Sequence, residues 1–60
     1  MTVYDFVVDL FNSCREGAEP MTIDDAAADI ENFKREGWQL PEGITPEEYA
    51  ETWNKLCKAG

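Results

Sequence analysis

The stretch MTIDDAAADIENFKREGW, residues 21–38, holds a complete helix in its local syntax. Thr22 offers a hydroxyl to an orphan N–H of the first turn, and Asp25, three residues on, can reach back to the cap. Gly37 supplies the left-handed residue that ends a helix, and Trp38 follows it where its side chain can meet Phe33 in a Schellman ending. Between them, Ala26, Ala27 and Ala28 keep the helix slim enough for a neighbour to come close.

The same frame recurs on both sides. MTVYD at 1–5 and ITPEE at 44–48 repeat the start, so the frames run Thr2 to Gly17, Thr22 to Gly37 and Thr45 to Gly60. In the third copy Pro46 takes the first helical position, where its missing N–H costs nothing, and Ile44 and Tyr49 have the spacing of a hydrophobic staple. With each threonine as zero, offset four carries Phe6, Ala26 and Tyr49, and offset eight carries Leu10, Ile30 and Trp53. Offsets one, four, five, eight, eleven and twelve trace one helix face, so each frame buries a stripe. The unit is too short and its connectors too unlike for a solenoid. Short links favour antiparallel neighbours. The fold expected is therefore all-α, a compact up-down-up three-helix bundle with helices over about 3–16, 23–36 and 46–58, forming a single domain across 1–60.

Sixty residues give one core of at most ~3–5 kcal/mol, so a partner or a second copy would help. The 43% hydrophobic content and the aromatic residues argue for a folded chain. No stretch approaches the ~20 apolar residues of a membrane span, and no secretion signal opens the sequence, so the expected location is cytoplasmic. A net charge of −8, with five Lys and Arg against thirteen Asp and Glu, disfavours direct nucleic-acid binding and anionic membranes, and permits a basic protein partner. Part of that charge serves the helices themselves. Asp5, Asp24, Asp25, Glu47 and Glu48 sit in first turns, while Arg15, Lys34, Arg35, Lys55 and Lys58 sit in last turns, complementing the helix dipoles.

Catalytic chemistry finds little purchase. There is no histidine and no glycine-rich phosphate loop, and the acids stand at caps or on polar faces rather than in a buried pair. Cys14 and Cys57 share offset twelve, so in parallel first and third helices a disulfide is conceivable; the plainer reading is two reduced, partly buried thiols. Two cysteines without histidine do not complete a zinc site. No enzyme activity, cofactor or metal is expected.

The first helix is the unusual one. Its core stripe Val3, Phe6, Val7, Leu10 and Cys14 is flanked by Tyr4, Val8 and Phe11, giving an apolar arc of roughly 200° where about 100° suffices for one-sided packing. Two readings stand side by side: this helix touches two others with Trp38 and Leu40 folded over its edge, or the extra stripe is a face for a partner or a homodimer seam. The expected function is protein–protein interaction of an adaptor or regulatory kind, through Tyr4, Val8, Phe11, Trp38 and Leu40. Two alternatives are an acidic nucleic-acid mimic that occupies the basic cleft of a nuclease or DNA-binding protein, and an accessory homo-oligomerising segment.

Overall fold

In the computed structural model, which describes residues 1–14 and 18–59, Thr2, Thr22 and Thr45 each cap a helix. Thr2 Oγ1 accepts from Asp5 N–H at 3.1 Å, Thr22 from Asp25 N–H at 3.1 Å, and Thr45 from Glu48 N–H at 3.1 Å. The Asp25 carboxylate also accepts from Thr22 N–H at 3.3 Å, which closes the capping box. The helices are α1 (Val3–Ser13), α2 (Ile23–Arg35) and α3 (Pro46–Ala59), and no strand occurs among the described residues.

The end of α2 follows the Schellman pattern. Trp38 N–H donates to Phe33 C=O at 2.9 Å and Gly37 N–H donates to Lys34 C=O at 3.2 Å, with Gly37 at φ +83°. Helix α1 ends earlier than its sequence frame. Cys14, at φ −117° and ψ 30°, is its C-cap, and the Ser13 hydroxyl donates back to Asp9 C=O at 3.1 Å, a bond that competes with the helical ladder. Arg15, Glu16 and Gly17, the expected last turn and terminator of the first frame, lie outside the described residues, as does Gly60.

The three helices form an all-α bundle in which α3 is central. It packs against both α1 and α2, while among the described residues no Cα of α1 comes within 8 Å of a Cα of α2. One of the two readings of the wide apolar face gives this role to the first helix, which reaches α2 only through side chains such as Phe6 against Phe33. Packing gives it to α3 instead, whose Tyr49, Ala50 and Trp53 are all buried. Ala26 of α2 and Ala50 of α3 are both buried, so small residues on these two helices leave room for their backbones to approach.

Side-chain bonds define the directions. Asn54, late in α3, lies against Met21 at the head of α2, and Tyr49, early in α3, lies against Asp29, so α2 and α3 are antiparallel. Met1 shares a cavity wall with Leu40 and Pro41, which places the start of α1 at the same end as the start of α3. The up-down-up order follows.

Six of the seven aromatics form one continuous cluster. Phe11 meets Trp53 edge to face at 5.3 Å, Trp53 meets Tyr49 at 6.3 Å, Tyr49 meets Phe33 at 6.4 Å, and Phe33 stacks on Trp38 at 4.5 Å. Phe6 sets its ring edge to face against Phe33 at 5.8 Å and Trp38 at 6.4 Å, so rings bridge α1 to α2 where the backbones stay apart. The connection before α2 is held by α3. Asn54 Oδ1 accepts from Met21 N–H at 2.8 Å and its Nδ2 donates to Met21 C=O at 3.0 Å, while Trp53 Nε1 donates to Glu19 C=O at 2.7 Å. Cys14 is exposed rather than part of the inner stripe, Cys57 is half-buried, and both are free thiols.

Candidate functional site

The loop that leaves Gly37 does not run into solvent. Leu40 and Ile44 pack on the core, Pro41 is buried, and Gly43 at φ +77° lets the chain turn back so that Ile44 N–H donates to Pro41 C=O at 3.4 Å. This anchoring holds Trp38 in place from both sides. Its indole stacks on Phe33, yet 45% of the residue remains exposed. Beside it Met1 is 78% exposed.

Between Trp38 and α1 lies an open cleft of about 310 Å³. Phe6 and Leu10 line its α1 side, Trp38 and Gln39 the other, and Asp9 stands in its wall. A second concavity of about 490 Å³ shares Met1 and Gln39 with the first and continues along Leu40, Pro41 and Glu42. The two adjoin as one trough along the part of the bundle where α1 and α2 meet only through side chains, mainly apolar beside Trp38 and mixed in character along Leu40, Pro41 and Glu42.

The five residues singled out from sequence fall into three places. Trp38 and Leu40 border the trough. Phe11 turns inward against Trp53, half-buried on the core. Tyr4, 61% exposed, and Val8, half-buried, line neither concavity. The flank of α1 left open to the trough is thus the Phe6, Asp9, Leu10, Ser13 edge, on the far side of the core stripe from Tyr4 and Val8. Leu10 and Gln39 were missed as surface elements because Leu10 reads as core at offset eight and Gln39 carries no pattern. The signal that could have found them is Gly37, whose turn sends the next residues back across α1.

The Tyr49 hydroxyl donates to Asp29 Oδ2 at 2.9 Å with the residue only 2% exposed, and its pKa is pushed well above the usual phenol value, first by burial and then by the Asp29 carboxylate. Among the described residues no three Cys, Asp or Glu side chains gather in a way that could hold a metal ion, and no helix is long and apolar enough to cross a membrane. No protein-family model matches the sequence, and no curated protein or solved structure matches it.

Proposed function

We propose that this chain is a non-catalytic docking module, working in the cytoplasm, that binds another protein through the trough between α1 and the Trp38–Leu40 segment. One observation supports the reading above others: Trp38 is left 45% exposed although the Phe33 stack and the Schellman bonds hold it still. A rigid, half-exposed tryptophan loses little conformational freedom on binding, and tryptophan is among the residues most enriched at binding hot spots. Leu10 and Met1 line the cleft beside it and Leu40 lines the adjoining concavity, where the charged side chains are the isolated carboxylates Asp9 and Glu42. The exposed thiol of Cys14 fits a reducing compartment.

The test compares wild type and Trp38→Ala as immobilised baits in extract of the native host, with circular dichroism on both. Wild type should retain a partner that Trp38→Ala loses while helicity stays the same. Equal retention by both baits would remove the trough from the binding surface, and sedimentation of the free protein as a stable dimer would replace docking with self-association.

A further inference from the structure

The trough has a charge as well as a shape, and that charge points to the chemistry of its occupant. Its ionisable side chains are Asp9 on the α1 wall and Glu42 in the second concavity, both exposed, with no lysine or arginine in either lining; they stand against the single positive charge of the Met1 amino terminus, Met1 lining both. The same linings carry Leu10, Trp38 and Leu40, with the buried Phe6 beneath. The α1 wall presents Phe6, Asp9, Leu10 and Ser13, spaced as one face of a helix, so it extends about 10 Å along the axis. That is a groove of the kind an amphipathic helix fills with anchors one turn apart. The geometry points to a basic amphipathic helix of a partner protein, its apolar face on Trp38 and Leu10 and its lysines or arginines over Asp9 and Glu42. This rests on the docking reading and narrows it.

A second copy of the chain is the weaker occupant on the same grounds. Each copy carries a net charge of −8, and apposing two such troughs would bring Asp9 and Glu42 of one against those of the other. A cationic helix meets the same carboxylates with opposite sign, and the long-range field of the whole chain speeds its arrival.

The experiment uses two synthetic helices with the same leucine face, one with lysine and one with glutamate at every polar position. Each is titrated into the full-length protein and followed by amide chemical shifts. The leucine–lysine helix should bind and shift the resonances of Leu10, Trp38, Gln39 and Leu40, and the leucine–glutamate helix should not. Removing the two carboxylates together, Asp9→Asn with Glu42→Gln, should weaken the leucine–lysine helix by roughly three- to tenfold, the scale of two exposed ion pairs. Removing two carboxylates near the start of α2, at the opposite end of the bundle, Glu19→Gln with Asp24→Asn, should change affinity by about twofold or less, the share left to the overall field.

Equal weakening by both pairs would reduce the effect to bulk charge and overturn the assignment. So would equal binding of the two helices, or saturation of the trough by the protein's own dimerisation. The failures can be told apart. If Trp38→Ala abolishes binding but Asp9→Asn with Glu42→Gln does not weaken it, the basic helix is wrong and docking at the trough stands. If Trp38→Ala leaves both binding and shifts unchanged, the docking reading itself falls.

Discussion

Tyr49→Phe removes a single oxygen from the centre of the bundle, and its effect should reverse sign with pH. Tyr49 is 2% exposed, so the ring stays packed against Phe33 and Trp53 and no cavity larger than a hydroxyl opens. What is lost is the 2.9 Å bond to Asp29 Oδ2. Asp29 is only half-buried and can turn to water, so the cost near pH 7 should be about 1 kcal/mol. Burial, reinforced by Asp29, raises the folded-state pKa of Tyr49 above its ordinary value of 10.0. Below that value both folded and unfolded chains hold the phenol proton, and the stabilisation is fully present. Above it the unfolded chain releases the proton while the folded chain keeps it, so wild-type stability falls by about 1.4 kcal/mol per pH unit until the raised pKa is reached. The variant has no such proton. Other titrating groups are common to both proteins and cancel in the difference, so the two stabilities should cross between about pH 10.5 and 11. Urea unfolding followed by circular dichroism, repeated from pH 7 to pH 11, measures that difference directly. A difference that stays constant across the range would refute the buried, carboxylate-bound phenol.

Phe11→Asp should unfold the protein rather than expose a silent surface change. The variant sets a carboxylate against Trp53 and gives up a half-buried ring, a cost of about 2–4 kcal/mol against a total of the same order; full retention of the helical dichroism would return Phe11 to the surface. Asn54→Ala removes both bonds to Met21 and should cost about 1–3 kcal/mol, a drop of several degrees in Tm, whereas an unchanged melt would show that the two bonds contribute nothing net. Gly37→Ala should cost about 1–2 kcal/mol from its φ of +83° alone, since nothing lies within 4 Å of the added Cβ. A D-alanine placed there by synthesis should restore the loss, and if it melted with the L-alanine variant the left-handed turn would be wrong.

Local bonds were legible in the sequence because both partners lie within a few residues of each other. Thr22 with Asp25, and Trp38 with Phe33, close over three to five positions whatever the rest of the chain does. The open concave surface was less legible. Of the five residues expected to form an interaction face, Trp38 and Leu40 border the trough, while Tyr4 and Val8 do not. An apolar arc of roughly 200° tells how much of α1 could be buried and leaves open which edge the neighbour takes.

By itself the sequence determined three capped helices, the glycine that ends the second, and an antiparallel order compelled by short connections. Each of these follows from backbone geometry and hydrogen bonds that close locally. Only the tertiary structure decided that α3 is central, that Phe11 turns inward, and that the open flank of α1 is the one facing Trp38. Those outcomes depend on long-range partners such as Trp53 with Glu19 and Asn54 with Met21, and on fitting six rings into one core. Helix rotations of similar buried area compete for that core, and dense packing selects among them.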